Sequence, residues 1–129
     1  MTQSKLRILA SLLALILNST AFLSPARAHA FPLRSEPRVG RVVAASPSKV
    51  TIWFDGELEP AFSTIAVYDA AKQRVDKRNG RVNPSDATVL EVDLSPLSAG
   101  TYRVYWNVVS KDTHRTEGDF PFTIEGKSP

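Results

Sequence analysis

The chain has 129 residues, 43% hydrophobic and 22% charged, with two histidines and no cysteine. Lacking cysteine, it has no disulfide, thiolate metal site, cysteine nucleophile or redox thiol. Its net charge of +3 comes from Lys5, Arg7 and Arg27 near the start; without them 13 basic residues face 13 acidic ones, so the charge balance gives no reason to expect nucleic-acid or anionic-membrane binding.

Residues 1–28 read as a cleaved secretory signal. Lys5 and Arg7 make a positive start, and Ile8 to Leu17 is a short apolar stretch. Pro25 then precedes the small-x-small triplet Ala26-Arg27-Ala28, the pattern a signal peptidase cuts. Asn18, Ser19 and Thr20 break the apolar run well short of the roughly 20 residues a membrane span needs. Residues 29–129 are then one exported domain with no membrane span after cleavage, expected to be a monomer. Ala28-His29-Ala30 is a second small-x-small triplet, and a cut after Ala30 would remove His29.

The remaining chain alternates with a period of two, as strands do. In Lys49 to Asp55, Val50, Ile52 and Phe54 alternate with Thr51 and Trp53. Phe62 to Tyr68 places Ser63, Ile65 and Val67 on one face. Thr88 to Leu94 alternates again. Thr101 to Val109 points Tyr102, Val104, Trp106 and Val108 one way, and Phe120 to Ile124 does so with Phe120, Phe122 and Ile124. Pro121, lacking an amide hydrogen, implies an edge strand or a position whose amide the ladder does not need. Turn residues at Ser46-Pro47-Ser48, Asp55-Gly56, Asn79-Gly80, Asn83-Pro84-Ser85, Ser95-Pro96 and Ala99-Gly100 separate the runs. Short strands so punctuated predict an all-β sandwich or barrel of about seven antiparallel strands. Leu97 to Tyr102 has the form of a tyrosine corner, in which the phenol bonds back to the preceding backbone. The last residues, Gly126 to Pro129, read as a frayed tail.

The two histidines, His29 and His114, carry the candidate chemistry. Cleavage after Ala28 makes His29 the first residue, and its α-amine and ring Nδ1 then close a six-membered chelate. Both nitrogens must be free of their protons to bind a metal, so binding weakens in acid. Asp112 and His114 stand two apart, so extended backbone projects them to one side. Together with His29 they make a set of three nitrogens and one carboxylate oxygen. Tetragonal coordination by such donors favours Cu(II), one ion per mature chain; Zn(II) accepts similar donors but prefers a tetrahedron. The sole methionine is Met1, so a dedicated Cu(I) site is not expected.

These residues also resemble the CopC-type periplasmic copper-binding proteins. The likeness runs through His29 to Pro37, Ile52 to Phe62 and, most specifically, Leu97 to His114, which is close to the family pattern G-x-Y-x-V-x-W-x-x-x-S-x-D-x-H. The resemblance implies an immunoglobulin-like Greek-key β-sandwich, a periplasmic location and a Cu(II) site on His29, Asp112 and His114. It also implies a role in buffering, carrying or delivering copper for homeostasis or resistance, with an inner-membrane transporter of the CopD type as partner. Two departures stand out. The methionine-rich Cu(I) loop of some members is missing, and Gly56 occupies the position where the family often has a glutamate behind a ligand; Asp55 and Glu57 are the nearby acids. Two other readings compete with a carrier. A histidine-brace copper oxidase of the lytic polysaccharide monooxygenase type shares the paired histidines, but Asp112 would occupy a position that oxygen activation needs open. A plain adhesion module would leave both histidines incidental.

Overall fold

The structure, a computed structural model, describes residues 29–126; the expected signal at 1–28 and the tail beyond Gly126 lie outside the described residues. Eight strands form in chain order: β1 (Pro32–Glu36), β2 (Val42–Val43), β3 (Lys49–Phe54), β4 (Thr64–Tyr68), β5 (Arg81–Asn83), β6 (Asp86–Asp93), β7 (Gly100–Val109) and β8 (Arg115–Ile124). They make two four-stranded sheets, ordered β1-β3-β6-β5 and β2-β8-β7-β4. This is the expected all-β, immunoglobulin-like sandwich, with eight strands rather than about seven. One short pair, β2 with β8, is parallel, where an antiparallel fold was expected throughout.

The alternating residues of the sequence line the space between the sheets. Val50, Ile52 and Phe54 of β3 and Leu90 and Val92 of β6 face Ile65, Val67, Tyr102, Val104, Val108, Phe120 and Phe122 from the other sheet, all buried. Burying each such side chain contributes about 1.5–3 kcal/mol, the main stabilising source in a chain without disulfides. Thr51 is buried too, against the two-faced reading of β3. Its cross-strand partner Glu91 lies under a charged network on the outer face, bonded to Arg81 at 3.2 Å and Lys49 at 3.5 Å. The Tyr102 hydroxyl donates to the Ser98 carbonyl at 2.7 Å, completing the tyrosine corner. Phe62 belongs to a short 3-10 turn (Pro60–Phe62) rather than to a strand.

Pro121 is accommodated by strand order. Thr123 and Glu125 donate their amides to Arg41 and Val43, on the β2 side. Pro121 has the same parity, so its missing donor faces that side, before β2 begins, and no bond to β7 is lost.

Two junctions at one end of the sandwich position the candidate site. The first is the β7–β8 hairpin, whose strands pair from Gly100↔Ile124 to Val109↔Arg115 and leave Ser110 to His114 as the connection. The second is the lead into β1. There Phe31 and Asp55 exchange two hydrogen bonds, Phe31 N to Asp55 Oδ1 at 2.8 Å and Asp55 N to Phe31 O at 2.9 Å.

Candidate metal centre

His29 and His114 are 85 positions apart in sequence, yet their rings meet edge to face with centroids 4.6 Å apart. Both residues are exposed, so solvent and a metal ion reach them. His29 also contacts the ring of Phe31, 5.9 Å between centroids. Phe31 is 54% exposed and leaves an apolar side chain standing beside the histidine pair.

The chain around His114 is a tight turn rather than the extended segment expected from its spacing. Ser110 N donates to His114 O at 2.9 Å and Thr113 N to Ser110 O at 2.9 Å, while Thr113, between Asp112 and His114, has φ 73°. The left-handed residue reverses the chain, and the two side chains come together by turn geometry instead of strand alternation. Asp112 Oδ1 lies 3.4 Å from His114 Nδ1 and accepts the His114 amide at 3.3 Å. The Ser110 hydroxyl donates to the same oxygen and approaches His114 O at 3.1 Å. That hydroxyl bond does most to hold the Asp112 carboxyl below the usual carboxylate range; desolvation, the next influence, opposes it, and the amide, ring and charge of His114 add to the lowering. Asp112 is therefore an anion at neutral pH.

The structure thus brings the rings of His29 and His114 together and sets Asp112 against His114 within its own hairpin. Among the described residues, no group of three or more His, Asp or Glu side chains is already gathered as a metal cluster. The donor chemistry still fits a borderline cation: two imidazoles and one ionised carboxylate, with no thiolate or thioether among the described residues. The α-amine of the expected chelate needs a chain end at His29, and the residues before it lie outside the described part.

Of the two acids near Gly56, Asp55 touches the segment that carries His29, through the Phe31 amide. Glu57 contributes its backbone carbonyl to the Lys111 amide at 3.1 Å, and its side chain is in a solvent-exposed residue. Two participants escaped the sequence reading. Ser110 orients Asp112, and Thr116 Oγ1 donates to the Ala30 carbonyl at 2.7 Å. Hydroxyls are common on strands, and no local spacing marks a contact across 86 residues; only the Ser and Thr flanking Asp112-Thr113-His114 hinted at them.

A two-sheet sandwich with a histidine pair at one end, joined by a carboxylate on a β-hairpin, defines a small β-sandwich class with a metal-accessible rim. Comparison with known proteins narrows the class. The model of the CopC domain matches residues 33–125, and the chain belongs to the CopC family. It is 33% identical over 98 residues to the copper transport protein CutJ of Bacillus subtilis (strain 168), covering 75% of this chain but only 18% of that much longer relative. It is 31% identical over 107 residues to copper resistance protein C of Escherichia coli, covering 78% of this chain and 84% of the relative. The crystal structure of CopC from Methylosinus trichosporium OB3b superposes with a TM-score of 0.72 at 32% identity, covering 78% of this chain and 98% of that one. Among the described residues no helix is long and apolar enough to cross a membrane.

Proposed function

We propose that this protein binds and carries copper as a periplasmic Cu(II) protein, without catalytic chemistry of its own. His29, through its α-amine and imidazole after cleavage behind Ala28, Asp112 and His114 hold one ion per chain. The observation that carries the reading is the meeting of the two histidine rings at 4.6 Å from positions 85 apart in sequence. Relatives named for copper transport and copper resistance support it. So does membership of the CopC family.

The burial of Ala30 supports cleavage after Ala28. Ala30 is 0% exposed and belongs to the core, and its carbonyl is bonded to Thr116. A cut after Ala30 would discard a packed residue together with His29. The lack of a methionine other than Met1 favours a protein that holds Cu(II) and passes it on without a soft Cu(I) site. The partner we propose is an inner-membrane transporter of the CopD type, met by the monomer.

The test uses protein exported from the full chain, with its first residue read by intact mass. Protein beginning at His29 is expected to bind one Cu(II) in competition with a chelator. His29→Ala and His114→Ala are expected to lose most of that affinity while melting within a few degrees of the parent, because both side chains are exposed. A mass beginning at Phe31, or undiminished affinity in both variants, overturns the assignment.

A further inference from the structure

We infer that Asp55 and Thr116 are positioning residues that clamp the backbone of Ala30 and Phe31 and so fix where His29 stands relative to His114. The inference rests on the proposed role of the two histidines as copper ligands and adds what holds them in place. His29 precedes β1, and its own side chain is exposed, so packing of that side chain is a weak anchor. The two residues that follow it are held firmly. The Ala30 carbonyl accepts the Thr116 hydroxyl at 2.7 Å, and Phe31 gives its amide to Asp55 Oδ1 at 2.8 Å and takes the Asp55 amide on its carbonyl at 2.9 Å. The Ala30 methyl is fully buried in the core, which adds packing to these backbone bonds.

The placement of these bonds along the chain makes them a device for the site. Thr116 lies two residues beyond His114, on the strand the hairpin feeds, and Ala30 lies one residue beyond His29. A single hydroxyl bond therefore ties the two histidine-bearing segments together within two residues of each histidine. Asp55, at the end of β3, fixes the same segment from the other sheet. The chain end is thus ordered before any metal arrives, and the ordering cost that would otherwise be charged to binding is met during folding. Partners bonded directly to a ligand typically change metal affinity 10–100-fold when removed; these bonds act through the backbone one and two residues on from His29, so an effect at the lower end, about 10-fold, is expected.

The experiment compares exported, mass-verified proteins by competitive Cu(II) titration and by electron paramagnetic resonance of the loaded protein. Thr116→Val and Asp55→Ala are expected to weaken Cu(II) binding about 10-fold and to split the single cupric spectrum into more than one species. Thr116→Ser and Asp55→Asn, which keep a hydroxyl donor and a carbonyl acceptor, are expected to restore most of the affinity and the single spectrum. Tyr102→Phe removes the corner bond to Ser98 at the far side of the fold and serves as the stability control; it is expected to leave affinity and spectrum unchanged. Wild-type affinity and one spectral species in both Thr116→Val and Asp55→Ala, or an equal loss in Tyr102→Phe, overturn the clamp. Asp55→Asn as weak as Asp55→Ala overturns the hydrogen-bonding role of Asp55. If wild type and His114→Ala bind Cu(II) alike, the ligand reading itself has failed and takes the clamp's role with it.

Discussion

Asp76 shows how one carboxylate organises a sheet margin. Its side chain is fully buried and accepts three hydrogen bonds: the Val67 amide at 2.8 Å, Arg74 Nε at 2.9 Å and the Arg78 amide at 2.7 Å. The Val67 amide lies on β4, the outermost strand of its sheet, where Gln73 to Val75 runs alongside, with Val75 N bonded to Val67 O at 2.9 Å and Tyr68 bridged to Arg74; the carboxylate takes the Val67 amide and completes the cover of that edge. Burial is the largest single influence on this group and pushes its pKa up. The Arg74 bond, the two amides and the Arg74 charge together overcome it and leave the carboxyl below its usual range. A folded pKa depressed below the unfolded value of about 3.9 contributes stability that is complete above about pH 5 and drains away as pH falls through the folded value. Asp76→Asn is expected to cost about 2–4 kcal/mol near pH 7, since it weakens charge-assisted bonds and strands Arg74. The deficit relative to wild type should shrink towards pH 3 in urea titrations run at both pH values. An equal deficit at both would show that the charge contributes nothing.

At the scale of elements, the β7–β8 hairpin does most to build the functional end. Its ten paired positions carry the core aromatics on one face and deliver Ser110 to His114 as a stiff turn. Gly118 is part of that stiffness. It lies opposite Trp106, and a Cβ there would come within 2.6 Å of Trp106 Cζ2. The indole is braced against Phe54, with ring centroids 5.4 Å apart, so it has little freedom to yield. Gly118→Ala is expected to cost about 1–3 kcal/mol by overpacking, read as a lower denaturation midpoint at unchanged slope; an unchanged midpoint would mean that the indole swings aside. Alternation along Thr101 to Val109 made β7 legible from its residues, because both faces have distinct environments. The first half of β8, Arg115 to Asp119, was not legible. Exposed and half-buried positions with little apolar content give a strand no hydrophobic signature, and it forms because β7 offers it a ladder. The same holds for β2 and β5, two and three residues long, whose pairing partners rather than their own composition make them strands.

For the whole molecule, folding and metal binding are linked. The domain has no covalent cross-link, and its N-terminal segment is bound into the sandwich at Ala30 and Phe31. An ion held at the proposed site would join the segment at His29 to the β7–β8 turn and stabilise only the folded state. With free Cu(II) at a hundred times the dissociation constant the gain is about 2.7 kcal/mol, expected to raise the melting temperature by about 10–20 °C for a domain of this size. Differential scanning calorimetry with and without Cu(II) measures it, and added chelator should reverse it. Protein beginning at Phe31 should show no such rise; an equal rise there would locate the binding elsewhere.

The amino-acid sequence by itself determined an all-β fold, because apolar residues repeating every second position are buried only on one face of a sheet; alternation left sandwich and barrel open, and the family resemblance pointed to the sandwich. It also determined the chemical inventory, since with two histidines, no cysteine and one N-terminal methionine few metal sites can be written. Tertiary structure alone decided that His29 and His114 meet, that a left-handed Thr113 turns Asp112 back onto its hairpin, and that Thr116 and Asp55 grip the strand beside His29. Those contacts join residues tens of positions apart through single polar atoms. A hydroxyl or carboxylate acquires that role from where the folded backbone places it, and neither its type nor its spacing announces it in advance.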